Sequence, residues 1–529
     1  MAANNALNWW NIKPHQTAIL INEFINFELI ETAWLPGVLV DSENATHMKQ
    51  IIQRTILLIA GLLACFNVKA TEIKVNNILY EINTADKTAS VLPPTTYSYS
   101  GDIVIPENIV YQGESFTVTA IKGAFADCRY LTSVTLPNTI TTIGYASFRN
   151  CITLSNIDIP NSVTTIDSEA FNGCISLTSI DIPNSVKIIS QRVFKDCNSL
   201  MSVKISNSAI IIDKEAFYDC SSLKSIDIPN SVRTIGVSAF AGCSSSTSLN
   251  IGNSVKMIEK NAFDGCTNLT SIVIPNSVTT INDYAFNGCT GLTSIEIPNS
   301  VTTISNDAFS KCTALKSVHV DMTSIPDCFK WMSSLSEVTF GNSVKTIESL
   351  AFYNCTGLTS IVIPNSVITI EETAFYGCEQ LTTLTLGKAV ANMMSRAFQG
   401  CKRLKEIYSL NPAPPTLNSD IPYDYSFDDF SATMYVPKGS LQAYKSAPVW
   451  ELFTQIKEMD ATGIEHAQAD GVSVIARQGV IEVVGATDAM IEVFNMNGQC
   501  IYRGKQTSIP VAQGAYIVRL GGTSHKVMM

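Results

Sequence analysis

The chain has 529 residues, of which 46% are hydrophobic and only 15% charged, with a net charge of −11. An acidic balance of this kind leaves no basic footprint for nucleic acid or other polyanions, which argues against them as partners. After residue 70 no stretch is long and apolar enough to span a membrane.

Residues 1–47 show neither repeat nor targeting pattern and are expected to be an upstream extension that is no part of the mature protein. Residues 48–70 read as a secretory signal peptide: Met48, Lys49 and Arg54 are followed by the apolar run Ile56–Ala64 and a small-residue exit at Val68-Lys69-Ala70. Leu62-Leu63-Ala64-Cys65 offers a second reading as a lipid-attachment site at Cys65, which Leu63 fits poorly. Both readings take the protein out of the cytoplasm.

Residues 71–117 are expected to form an N-terminal β cap. Glu72–Val75 and Ile78–Ile82 alternate like strands, Ile103–Pro106 forms an incomplete repeat, and Tyr111–Val118 reads as a hairpin. From 118 to 404 the chain repeats. Ala124-Phe125 and Cys128 set an Ala-Phe-x-x-Cys spacing, and the cysteine returns every 23 residues from Cys151 to Cys312. One step of 20 residues brings Phe329 and Met332, after which Cys355, Cys378 and Cys401 resume the 23-residue period. Periods in the twenties mean a solenoid of about thirteen turns, each burying its apolar face against its neighbours.

In the unit Leu177–Cys197, Leu177, Ile180 and Ile182 stand in the L-x-x-L-x-L spacing, so a short strand points Ile180 and Ile182 inward and Ser179 and Asp181 outward. Pro183 ends the strand for want of an amide, and Asn184 suits the corner. Val186 and Ile189 return across the core, and the Ala-Phe-x-x-Cys segment is expected to make one helical or 3₁₀ turn on the opposite edge. The fold class is therefore a mainly β leucine-rich-repeat solenoid, poor in helix, with short parallel strands and a C-terminal β-sandwich module. The twelve ladder cysteines are even in number, as a disulfide set would be. Methionine at position 332 substitutes for a packing group and not for half a disulfide, so the ladder reads as buried thiols.

The units at Leu269–Ile281 and Leu358–Val367 carry the motif almost letter for letter and resemble the BspA-like leucine-rich-repeat family over roughly residues 103–404. That resemblance implies a secreted or surface-exposed bacterial protein, some of whose relatives bind host matrix proteins or cells. The repeat motif itself specifies packing and not a ligand.

Residues 405–460 are expected to cap the solenoid, through a loop at Pro412, Pro414 and Pro415, an acidic stretch with Asp424, Asp428 and Asp429, and a helix from Leu441 through Trp450 to Phe453. The three aspartates lack the spacing of a calcium loop. Residues 461–529 alternate as strands around a turn at Asn497-Gly498, with further strands at Cys500–Tyr502 and Gly514–Leu520. They resemble type IX secretion sorting domains.

Two outward columns run down the strands. One is almost all serine. The other varies and forms the candidate partner-binding face: Asp158, Asp181, Lys204, Asp227, Asn250, Val273, Glu296, His319 and Val362. Asp321 and Trp331, beside His319 in the short repeat, are expected to form a contact notch with it. Past the signal peptide only His319, His466 and His525 occur, with no metal spacing, nucleophile elbow or phosphate loop, so neither an enzyme nor a cofactor is expected. The functional expectation is an adhesin-like binding protein for host matrix proteins or other macromolecules, the alternative an envelope-organising protein without a host ligand.

Overall fold

In the computed structural model, residues 71–95, 98–418 and 426–459 and the strands between 473 and 528 are described. The signal peptide with Cys65, the extension before it, Asp424, His466, Asn497-Gly498 and Gly514 lie outside the described residues.

Inward residues of each repeat sit one above another because every turn repeats the same short path. The first strand of a turn, such as Ser225–Asp227 or Ser248–Asn250, pairs in parallel with its equivalent 23 residues on. Its middle residue is buried and its flanks face solvent, as at Ser248-Leu249-Asn250. A corner follows in which the Val186 amide donates to the Pro183 carbonyl at 3.0 Å. The corner asparagine does more than turn the chain: Asn184 Oδ1 accepts the amide of Asn207 in the next turn at 2.9 Å, and Asn230 and Asn365 repeat the bond. A two-residue second strand, such as Thr234–Ile235, then builds a second parallel sheet.

The Ala-Phe-x-x-Cys edge departs from the helical turn expected of it. Regular repeats place two linked turns there, each needing a left-handed residue, at Glu215 and Asp219 for example (φ 56° and 55°). The position before the cysteine is Gly, Asn or Asp in most repeats because those residues tolerate this conformation. A 3₁₀ helix forms in the short repeat, at Asp327–Phe329.

Inside, the phenylalanines stack face to face from Phe125 to Phe427, with centroids 5.0–5.8 Å apart and planes within 14°. The stack makes about fourteen turns, one more than the thirteen read from the repeat. Phe427 supplies the added rung, and Trp450 and Phe453 close it edge-on. Beside the rings each ladder thiol from Cys151 to Cys401 donates to the phenylalanine carbonyl of the preceding turn, at 3.0 Å for Cys174 and 3.5 Å for Cys401; Cys328, outside the ladder, is not among them. The ladder cysteines are free and buried. Met332 cannot donate, so the Phe309 carbonyl has no thiol bond, yet the rings stay stacked at 5.6 Å.

At the N-terminal end, antiparallel strands Thr71–Val75, Ile78–Asn83 and Thr88–Leu92 lead into the second sheet, and Asn108–Tyr111 forms a hairpin with Glu114–Ile121. At the other end the strand face continues beyond residue 404 through Glu406–Ser409, Thr433–Val436 and Gln455–Glu458. The helix expected over 441–453 is two pieces, Leu441–Lys445 and the 3₁₀ turn Trp450–Leu452. Pro448 and the left-handed Val449 (φ 70°) separate them. The final strands form two antiparallel sheets around a small core that includes Ile481, Val493 and Val518.

Candidate functional site

The strand face is built by alternation, since fixing the inward residue of each strand fixes which neighbours point out. Asp227, Asn250, Val273, Glu296, His319 and Thr339 stand in direct register on successive strands. They form one unbroken column. Asp158, Asp181 and Lys204 lie toward its N-terminal end, Asp181 in register with Lys204. Val362 starts a further run, in register with Thr385, Tyr408 and Tyr435.

The column is solvent-facing where it varies most. Val273 is 75% exposed, and Asp158, Asp181, Lys204, Asp227, Asn250 and Glu296 are exposed. His319 is half-buried, its Nδ1 hydrogen-bonded with Thr339 Oγ1 at 2.9 Å. Two aromatic residues missed by sequence reasoning, Tyr408 and Tyr435, stack at 4.8 Å on this face. They lie past the last full repeat, where the period no longer marks the column. Burial, followed by the neighbouring Glu406, pushes the Tyr408 phenol well up.

His319, Asp321 and Trp331 are not brought together. Asp321 lies at the corner after the strand and accepts the Ser343 amide at 2.9 Å. Its carboxylate occupies the space a side chain at Gly341 would need. Trp331 is on the opposite edge, left-handed at φ 65°, 65% exposed and edge-on to Tyr353 at 5.1 Å. Tyr353 in turn stacks on Tyr376. The short step shows instead as a break in the second sheet, between Thr303–Ile304 and Ser324–Ile325, with the strand face intact.

The C-terminal strands reach back to this face. Arg519, 9% exposed, donates to Glu337 Oε1 at 2.6 Å, and Glu492 beside it pairs with Arg503 at 2.5 Å. Phe494, Ile517 and Arg519 meet Val338, Thr339, Phe340 and Val362 around a residual cavity of about 20 Å³. The C-terminal end of the column is thus covered, and the part from Asp158 to Glu296 is open.

Among the described residues no group of three or more metal-ligating side chains occurs, and no helix is long and apolar enough to cross a membrane.

Parallel strands, 23-residue turns and an outward register column together define a leucine-rich-repeat solenoid. The family described as BspA type leucine rich repeat region matches residues 119–246, 210–327 and 323–419. The chain belongs to that family. A leucine-rich repeat protein from Bacteroides ovatus is 28% identical with a TM-score of 0.53, covering 69% of this chain and all of its own. A leucine rich cell surface protein from Faecalibacterium prausnitzii is 26% identical (TM-score 0.35, covering 64% of this chain and 94% of its own). The pneumococcal vaccine antigen PcpA is 20% identical (TM-score 0.37, covering 74% and 99%). No curated protein matches the chain.

Proposed function

We propose that this is a secreted or cell-surface binding protein, adhesin-like, whose strand face recognises host matrix proteins or other macromolecules. The observation that carries this reading is the contrast within one strand: Ile226, Leu249 and Ile272 are buried and uniform while Asp227, Asn250 and Val273 beside them are exposed and different. Changing an outward residue costs no core packing, so chemistry can vary there over a constant scaffold. A row of small contacts suits a macromolecular partner better than a small substrate, which would need a concave pocket with convergent polar groups.

The same reading assigns residues 48–70 to export, 71–117 and 405–460 to capping, 118–404 to recognition and 461–529 to sorting. Its test is solid-phase binding of the purified mature chain to matrix proteins, mucins and polysaccharides, beside a chain lacking five whole turns, residues 198–312. Saturable binding that disappears with the repeats is expected. A folded chain that binds nothing on the panel points to the envelope-organising role instead. Mass spectrometry of the exported protein reads the mature N-terminus, expected near residue 71.

A further inference from the structure

The second sheet has an outward surface of its own, and four consecutive turns of it depart from their neighbours. Two residues precede the inward isoleucine of each turn. In the turns on either side they are Thr141-Thr142, Thr164-Thr165, Thr279-Thr280 and Thr302-Thr303. In the four turns between they are Lys187-Ile188, Ile210-Ile211, Arg233-Thr234 and Lys256-Met257. Ile188, Ile211, Thr234 and Met257 pair in direct register. The residues before them are stacked by their backbones: the Ile210 amide donates to the Lys187 carbonyl at 2.8 Å, Arg233 to Ile210 at 2.9 Å and Lys256 to Arg233 at 3.2 Å. With turns about 4.8 Å apart, Lys187, Arg233 and Lys256 stand in one row about 14 Å long.

All three cations are exposed. Nearby Arg192, Lys195 and Lys214 are tied to Glu215, but among the described residues none of the three in the row forms an ion pair. The side chains among them are apolar and also face water: Ile188 is 50% exposed, Ile210 39% and Met257 37%. Core packing does not ask for them, since threonine fills the same places in adjoining turns. One margin of the patch is uncharged, at the corner residues Asn184, Asn207, Asn230 and Asn253. The other holds Asp213 and Glu259, half-buried and engaged locally. Asp213 Oδ1 accepts the Lys214 amide at 2.7 Å, and Glu259 Oε2 accepts from Asn282 Nδ2 at 3.0 Å. Lys214 and Lys260 stand exposed next to them.

We propose that this patch seats the protein on an anionic lipid surface. Lys187, Arg233 and Lys256 meet the headgroup phosphates, and Ile188, Ile210 and Met257 enter the apolar boundary between them. The aliphatic side chains select a lipid over an anionic polysaccharide, which would satisfy the cations and leave the aliphatics in water. A row of three charges gives reversible attachment that salt weakens. The chain's net charge of −11 hides the patch in a composition and also orients it, because the acidic remainder of the surface is repelled by the same lipid. This goes beyond the strand-face reading and does not depend on it: the variable column belongs to the first sheet, across the Pro-Asn corner.

The test is co-sedimentation of the full mature chain with phosphatidylcholine vesicles, plain or containing about 30% phosphatidylglycerol. Two variants restore the letters of the adjoining turns, and both should keep the wild-type melting temperature. One carries Lys187→Thr, Arg233→Thr and Lys256→Thr; the other carries Ile188→Thr, Ile210→Thr and Met257→Thr. The unaltered chain should bind the anionic vesicles at least tenfold more tightly than the plain ones, and should lose at least tenfold between about 50 and 300 mM salt. The cation variant should bind at least tenfold more weakly. The aliphatic variant should lose at least threefold and keep its salt dependence. Matrix-protein binding should be unchanged in both. The proposal is overturned by no binding to anionic vesicles or by equal binding of the folded cation variant. It is also overturned if the aliphatic variant binds vesicles fully while dextran sulfate binds and is lost with the cations, which would make the patch a polysaccharide site. Loss of matrix-protein binding in the cation variant would assign the patch to that partner instead and overturn it equally.

Discussion

The ladder cysteine is the residue whose role the structure changes most. Its spacing shows it to be a core position, but a small hydrophobe would have served there. The thiol is used as a donor: Cys266 Sγ bonds the Phe240 carbonyl at 3.4 Å, and its equivalents repeat the contact. Burial pushes these thiols up, to about 12 at Cys266 and Cys312. An unfolded thiol ionises near ~8.5, so on raising the pH the unfolded chain loses protons first. The contribution to stability is complete below about pH 8.5 and is lost as the pH climbs toward 12, at up to about 1.4 kcal/mol per unit for each thiol. Urea midpoints should be flat from pH 6 to 8 and fall steeply above 9. Cys266→Ala should cost roughly 1–2 kcal/mol at pH 7 and flatten that fall by one thiol's share. A thiol reagent at pH 8 should label exposed Cys500 in the native protein and the ladder only on unfolding. Backbone conformation offers a second residue-scale check. Lys311 is exposed and left-handed (φ 60°) where other repeats use glycine. Lys311→Gly should therefore raise stability by about 0.5–1 kcal/mol in urea denaturation.

At the scale of the turn, each phenylalanine meets one ring above and one below, Phe240 at 5.0 Å from Phe217 and 5.6 Å from Phe263. Offset stacking adds about 0.5–1.5 kcal/mol per pair beyond area burial. Phe240→Ala should cost about 3–5 kcal/mol, and faster amide exchange should stay within the flanking turns, since contacts in a solenoid run between nearest neighbours. Uniformly faster exchange along the whole chain would contradict this. Side-chain periodicity made the strands, the Phe-Cys ladder and the outward column legible, because each is a statement about which side chains share an environment. The fourteenth rung was hidden because Phe427 is followed by Phe430 in place of cysteine and sits among aspartates. Trp331 was misread with His319 because proximity along a turn is not proximity across it: the strand and the Phe-Cys edge lie on opposite sides.

For the whole molecule, a continuous hydrophobic core runs from Ile73 to Ile456, so the caps and repeats share one interior. The C-terminal strands keep a core of their own and touch the solenoid through Arg519 and its apolar neighbours. Arg519→Ala should speed amide exchange at Glu337–Phe340 at least tenfold while leaving the solenoid's melting temperature unchanged. No change in exchange would mean that the contact does not hold the module. With Thr339 and Val362 covered, the open part of the column lies on the N-terminal side of the short repeat, which is where the proposed recognition would fall. The central claim is that recognition is written in the outward column and not in the ladder or the far edge. Its most direct measurement is the affinity of the mature chain for whichever matrix protein it binds on the solid-phase panel, against two charge-reversed chains. Asp227→Lys with Glu296→Lys alters the column alone; Lys260→Glu alters the Phe-Cys edge alone. The account predicts at least a tenfold loss for the column variant and no loss for Lys260→Glu. Equal binding by all three chains, or equal loss in both variants, would contradict it.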